Sequence, residues 1–421
     1  MTIKVKRAAG SALFVALVIF LLAKTSFLFE RKYSYSKYYD FYEQKQDFDV
    51  LFLGTSHVIN AIYPMELWRD YGIVSYNLAN HSENICTNYW QLVNALEHTT
   101  PKVVVIDLYA VDGDGKVNTK YLHNFTDAMP LSFTKVRMVW DLLEPWERAE
   151  YLFPLSLYHS RWDDDFGTTD LEPEAGCEKG AELHEEVVVN TPPELIPKEQ
   201  YDPADRLNKR YLQKIIDLCK EKNIDIVLMY IPYDMPEGEL AVANWGYVSA
   251  EKNDVPYLNF VYEDLELNYA TDCADVSHHL NASGAKKVSD FLGKYLTENY
   301  DVQDHRENPE YAFWNGDYEE YKQKKLEWLN GIQDTWSYLM LLNDADYETK
   351  VYATKDSLIY QDDEIMALLE NINVFGSLTY VELSDEYYEG NFMVEVADKN
   401  TKEIVSERRF TRIESNIYGT Y

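Results

Sequence analysis

With 421 residues, 46% of them hydrophobic, the chain is long enough and apolar enough to fold around sizeable cores. Its formal net charge of −33 argues against nucleic acid or an anionic lipid surface as a partner, because the dominant phosphate interaction would be repulsive. The four cysteines (Cys86, Cys177, Cys219 and Cys273) form no CxxC pair and have no metal-ligand spacing, so no metal site and no catalytic thiol is expected. One disulfide is compatible with an oxidising compartment.

Lys4, Lys6 and Arg7 precede an apolar stretch from Ala8 to Phe29, in which Lys24 is the only charge and Ser11, Thr25 and Ser26 add polarity. About 20 apolar residues cross a bilayer, and Lys24 can extend its ammonium to the interface. Residues 1–30 are therefore read as a single transmembrane anchor. The alternative is a cleaved signal peptide: Ala12 to Ala23 has the length of a signal core, although no small-x-small cleavage site follows. Arg31 and Lys32 weaken the charge asymmetry across the segment. Both readings export the rest of the chain.

A Tyr-rich linker, 31–48, leads to Val50-Leu51-Phe52-Leu53, a short apolar run closed by Gly54 that reads as a buried parallel strand. Further strands are expected at Val74 to Leu78, Val103 to Ile106, Ile226 to Tyr230 and Tyr257 to Phe260. Between them the spacing turns helical. Trp90, Leu92, Val93 and Leu96 share one face; Tyr211, Leu212, Ile215, Ile216 and Cys219 share another, which makes Cys219 a core residue. Strands alternating with helices predict an α/β fold with a doubly wound parallel sheet over residues 49–300, and ligands at the carboxyl ends of its strands.

Residues 112–200 interrupt the alternation with aromatic clusters around Trp140, Trp146, Phe153 and Trp162 and an acidic stretch from Glu172 to Glu186. An insertion of this length is often a lid or substrate-binding element; a surface elaboration is the plainer reading. Residues 301–334 are expected to be a helical linker, with a helix over Asp317 to Leu329. Residues 335–421 predict a small α/β domain: strands at Lys350 to Thr354, Leu378 to Leu383, Phe392 to Val396 and Glu403 to Arg408, and a helix over Asp362 to Ile372. It holds no catalytic constellation and reads as a binding or docking module.

The chemistry is carried by two segments. The first strand runs straight into Gly54-Thr55-Ser56-His57, which presents a serine hydroxyl at a strand-to-helix turn where backbone amides can stabilise an oxyanion. The competing reading makes Ser56 an ordinary helix N-cap. Far downstream comes Asp275-Val276-Ser277-His278-His279-Leu280-Asn281, followed by a helical stretch. There an acid can orient a histidine ring within one loop, and Asn281 caps the next helix.

These two segments resemble the first and last blocks of the SGNH (GDSL-like) hydrolase superfamily, with Thr55 in place of the usual aspartate. The resemblance covers about Asp49 to Tyr300. It implies a flavodoxin-like three-layer sandwich, a Ser56 nucleophile and a triad acid at Asp275. The family's DxxH spacing selects His278 as base, whereas its His-apolar-Asn order selects His279; both stay open. The family's oxyanion glycine and asparagine have no clear counterparts. Ser82 falls where the glycine would be, and Val111 where the asparagine is usual. Backbone amides of Ser56 and Ser82, and the Asn80 side chain, are the candidate donors, with Gly54, Thr55 and His57 beside them. His123, His159 and Arg161 are weaker candidates for substrate contact within the insertion, where surface positions are the plainer expectation.

A membrane-anchored, exported member of this family resembles the proteins that O-acetylate or D-alanylate bacterial surface polymers. That resemblance implies an ester-linked acyl group, a cell-surface glycan or polymer substrate, no cofactor and, for a transferase, a multi-pass membrane O-acyltransferase partner. The alternative is an SGNH-like glycan-binding or assembly protein without turnover.

Overall fold

Val50, Leu51, Phe52 and Leu53 are completely buried, and as β1 (Val50–Leu53) they form an inner strand of a five-stranded sheet. Its partners are β2 (Ser75–Asn77), β3 (Val103–Asp107), β4 (Asp225–Tyr230) and β5 (Tyr257–Asn259), in the order β2-β1-β3-β4-β5. All neighbours are parallel, with Val50 opposite both Ser75 and Val103. This is the flavodoxin-like order, and the strand order reverses between β1 and β3. Residues described by this computed structural model are 3–30, 36–171, 176–276, 279–353, 357, 362–375, 377–382 and 392–410.

Helices follow in chain order: α1 (Ile3–Phe29), α2 (Ser36–Glu43), α3 (Ser56–Ala61), α4 (Pro64–Tyr71) and α5 (Ile85–Ala95). The insertion contributes α6 (Thr119–Thr126), α7 (Phe133–Leu142), α8 (Arg148–Leu152), α9 (Leu155–Tyr158) and α10 (Thr168–Leu171). Next come α11 (Arg206–Lys222), α12 (Glu237–Asn253), α13 (Ala282–Asn299), α14 (Phe313–Gly331), α15 (Thr335–Leu341) and α16 (Asp363–Phe375). Because successive strand side chains point to opposite faces, the sheet builds two cores. Leu51, Leu53, Val104 and Ile106 pack with Leu92 of α5 and with Leu212, Ile215, Ile216 and Cys219 of α11. Val50, Phe52, Val103 and Val105 pack with Val58, Leu67, Val288 and Leu292 on the other side. The result is a three-layer sandwich.

A 21-residue part of α1, Ala9–Phe29, is long and apolar enough to cross a bilayer, and it lies almost wholly outside the protein core. At about 1.5 Å per residue it spans roughly 31 Å. The last turn behaves differently: Ser26 and Glu30 are buried against the insertion.

The C-terminal unit is a second sheet, ordered β7-β6-β8-β9, from β6 (Tyr347–Ala353), β7 (Ser377–Glu382), β8 (Phe392–Asp398) and β9 (Ile404–Phe410). β6 and β7 are parallel and connected through α16, whereas β8 and β9 add antiparallel neighbours. Thr354 and Leu383, expected at two strand ends, lie outside the described residues.

Residues 301–334, expected to be a linker, are instead packed against the first unit. Trp314 and Tyr321 of α14 are buried, and Trp314 meets Trp68 of α4 with ring centroids 5.4 Å apart. Beneath them Lys325 pairs with Glu66 at 3.0 Å and with Asp344 at 2.6 Å, and Arg69 pairs with Glu66 at 2.6 Å. Arg69 and Lys325 outweigh burial and hold the Glu66 carboxyl below its usual range. A buried ion network of this kind couples the two units, because removing either partner strands a charge.

Candidate active site

Gly54 ends β1 with φ +152°, and a Cβ there would meet Val58 Cγ2 at 2.5 Å and Asp107 Cβ at 3.0 Å. Only glycine fits this turn. Thr55, not Ser56, then caps α3: its hydroxyl accepts from the His57 amide at 3.4 Å. Ser56 is thereby the first helical residue, with its hydroxyl available. The next residue, His57, is buried; its ring stacks on Tyr109 at 3.8 Å, meets Tyr233 edge-on and lies 5.4 Å from the His279 ring.

His279 reaches Ser56 from the far end of the domain. Its Nε2 lies 2.9 Å from Ser56 Oγ and its Nδ1 lies 2.5 Å from Asp275 Oδ2. The other Asp275 oxygen accepts from the His279 backbone amide at 2.9 Å. The acid and the histidine are thus four residues apart, and His278 lies outside the described residues. The loop is pinched at its base by a bridge between Cys273 and Leu280 and by Ala274 N donating to His279 O at 2.9 Å. Asn281 fixes the base: its carbonyl caps α13 at Ser283 and Gly284, and its amide donates to the carbonyls of Glu186, Thr271 and Cys273.

Two other parts of the chain hold this loop. From the insertion, Val188 N donates to Cys273 O at 2.9 Å and Asn190 Nδ2 to Asp275 O at 2.7 Å. From the C-terminal unit, Asn371 Nδ2 donates to Asp272 Oδ1 and Thr271 Oγ1, and Asn343 Nδ2 to Ser283 Oγ. The buried Lys287 ammonium joins Asp272, Asn371 and the Glu266 carbonyl at 2.7–2.8 Å.

The β2 loop forms the remaining wall. Ser82 adopts φ +49°, a conformation that favours glycine, at the position where a glycine is usual in the family this sequence resembles. Asn80 is buried: its amide donates to Tyr121 O and its carbonyl accepts from His81 N and Asn124 Nδ2, so the side chain ties the loop to α6. Val111 is buried and brings no polar group. Behind the loop, burial lowers the Lys37 ammonium to about 8 against the opposing pull of Glu182 and Glu83, while Lys37 donates to the carbonyls of Ala79 and Gly180. Burial also pushes the Asp107 carboxyl up to about 7; it accepts from the amides of Tyr109 and Ile231 and so joins the ends of β3 and β4.

The segment 179–190 was missed as part of the site. Gly180, at φ +90°, passes so close to β2 that a Cβ would sit 2.1 Å from Asn77 O. The chain then runs along α3, with Glu182 N donating to Ile59 O, and brings His184 to stack on His279 at 6.2 Å. An acidic loop with no strand or helix periodicity gave no signal for this. The weaker candidates do not meet Ser56. His123 is buried with Asp127 at 2.9 Å, His159 is exposed, and Arg161 is buried on the last turn of α1. All four cysteines are buried and free. Among the described residues no group of three or more His, Cys, Asp or Glu is placed to hold a metal.

No family model matches the chain, and no curated protein matches it. Among solved structures, one that it resembles was assigned as a lipolytic protein of the G-D-S-L family from Desulfitobacterium hafniense. The identity is 11% and the TM-score 0.31, over 59% of this chain and 98% of that one. Another was assigned as an acylhydrolase from Bacteroides fragilis, with 10% identity and a TM-score of 0.33, over 64% of this chain and 99% of the other. Likeness of this degree does not carry a function, so the reading below stands on the geometry of the site.

Proposed function

We propose that the protein is a serine hydrolase or acyltransferase of the SGNH type that forms an acyl-enzyme on Ser56. The observation that carries the reading is the run from Ser56 Oγ to His279 Nε2 at 2.9 Å and from His279 Nδ1 to Asp275 Oδ2 at 2.5 Å. Ser56 Oγ bonds to the carbonyl carbon of an ester, and its proton passes to His279 Nε2. Asp275 orients the ring and stabilises the imidazolium. His279 then returns the proton to the departing alkoxide; a water or glycan hydroxyl, giving its proton to the same nitrogen, bonds to the acyl carbon, and the Ser56 Oγ–acyl bond breaks as Oγ takes that proton back. The backbone amides of Ser56 and Ser82 are the donors proposed for the oxyanion.

The exposed apolar α1 supports an anchored, extracytoplasmic enzyme. Its proposed substrate is an acylated cell-surface glycan or polymer; as a transferase it takes its acyl group from a multi-pass membrane O-acyltransferase. The engaged Asn80 side chain and the apolar Val111 favour a second reading, a glycan-binding or assembly protein without turnover. Losing one oxyanion donor costs about 3–4 kcal/mol in the transition state. A fluorophosphonate probe separates the two. Covalent labelling of the wild-type protein that disappears in a folded Ser56→Ala variant is expected; an unlabelled wild type would favour the binding protein.

A further inference from the structure

The end of α1 is built into the insertion rather than tethered to it. Leu155 N at the start of α9 donates to Ser26 Oγ at 3.0 Å, and Phe166 meets Phe29 edge-on at 5.4 Å. Arg161 Nη1 donates to the carbonyls of Phe29 and Glu30 at 2.6 and 3.0 Å, which satisfies the open C-terminal end of the helix. Asp170 and Asp164 hold that guanidinium at 2.7 and 2.8 Å. Tyr39 of α2 closes the joint on Glu30 at 3.1 Å, and the adjacent Tyr38 donates to Ala79 O beside the site. The domain therefore has a defined seat against the helix.

The surface beside that seat is aromatic. Trp162, in the turn 159–163 that packs on α1, is 69% exposed, and Leu157 of α9 and Phe153 just before α9 are exposed as well. Trp140, on the neighbouring α7, is 54% exposed beneath the Arg148 guanidinium. A 21-residue apolar span just matches a hydrocarbon core about 30 Å thick, so groups flanking its last turn fall in the interfacial layer. Tryptophan suits that layer because its ring is amphipathic.

We infer that this face of the insertion lies on the outer surface of the bilayer, with Trp162, Leu157 and Phe153 seated in the interface. The inference rests on α1 being a membrane anchor. The contact is apolar and not electrostatic: Glu144 and Asp163 to Asp165 are exposed around it, and an anionic surface would repel them. The seat also sets the height of the Ser56 site above the membrane through α2.

The test uses the full chain in nanodiscs of phosphatidylcholine carrying bromine near the headgroup end of the acyl chains. Quenching of tryptophan emission is expected, and Trp162→Phe should remove part of the quenched signal. Trp162 emission that resists brominated lipid and is quenched by aqueous iodide in the same nanodiscs would overturn the inference and leave the face to a protein partner. Failure of the chain to co-purify with the nanodiscs would overturn the anchor reading as well. Added anionic lipid should lower the quenching of Trp162, and an increase would refute the apolar contact.

Discussion

Ser56 and His279 meet at 2.9 Å, but the turn beneath one and the loop beneath the other are held in different ways. The Ser56 turn is local. A buried strand, a glycine that alone tolerates the bend and a threonine cap fall within consecutive residues, and α3 begins at once. The His279 loop is held from outside, by Asn190 and Val188 of the insertion and by Asn371 and Asn343 of the C-terminal unit. The Ser56 hydroxyl is placed by its own neighbours; the His279 ring is placed by contacts from distant parts of the chain.

The largest expected effect is at the meeting point itself. His279→Ala should slow acylation of Ser56 by about 10²- to 10⁴-fold, whereas His278→Ala should cost far less. Probe-labelling rates decide this, and equal losses would leave the two histidines unresolved by function. The next effect lies under the loop. In Asp272→Ala the Lys287 ammonium, almost fully buried, loses the carboxylate that pairs with it at 2.8 Å, and stability should fall by about 3–5 kcal/mol. Denaturant unfolding measures it; an unchanged midpoint would show that the loop does not depend on this pair.

Asn371→Ala sharpens the comparison further, because it removes one contact of the C-terminal unit with the loop and leaves the residues of the first unit unchanged. A loss of about 1–3 kcal/mol is expected for the hydrogen-bond acceptors left behind, with slower labelling. The same change should leave the Ser56 turn untouched, so a circular dichroism spectrum of native shape with reduced labelling is the expected pair of results. A chain ending at Tyr300 should suffer more, since it loses Lys325 and Trp314 as well as Asn371 and uncovers the Glu66–Arg69 pair and Trp68.

The last expected effect is a slope rather than a loss at one pH. Burial raises the Asp107 pKa from 3.8 to about 7 in the folded protein. Between those values the native state holds one more proton than the unfolded state, so this group makes stability fall as pH rises from about 4 to about 7. Asp107→Asn should remove that share of the fall, read as the difference between the two stability-versus-pH curves. Parallel curves would mean that Asp107 does not titrate in this range.

β1, β3 and β4 were legible because each is a short apolar run, and they differ from the expected ranges by at most one residue at an end. Gly54 and Ser56 were legible for the same local reason. Ser82 has a positive φ of +49°, a backbone conformation that favours glycine. The segment 179–190 was not legible. Its hydrogen bonds to Ile59, Cys273, Tyr269 and Asp275 use backbone groups and one amide, and these leave no periodic trace in an acidic stretch. The composition of residues 301–334, rich in Tyr, Glu and Lys, carries no sign that Lys325 is buried among carboxylates.

The sequence by itself determined the α/β sandwich, the apolar N-terminal helix and the turn that presents Ser56, because these rest on hydrophobic periodicity and on one glycine. Only the tertiary structure decided that Asp275 reaches His279 across four residues. The Cys273–Leu280 bridge and the buried Asn281 pinch the loop so that His279, the residue before the bridge, faces Ser56. A spacing rule counts residues along the chain. Which ring faces the hydroxyl depends on where that loop is closed, and the groups that close and support it come from three separate parts of the chain.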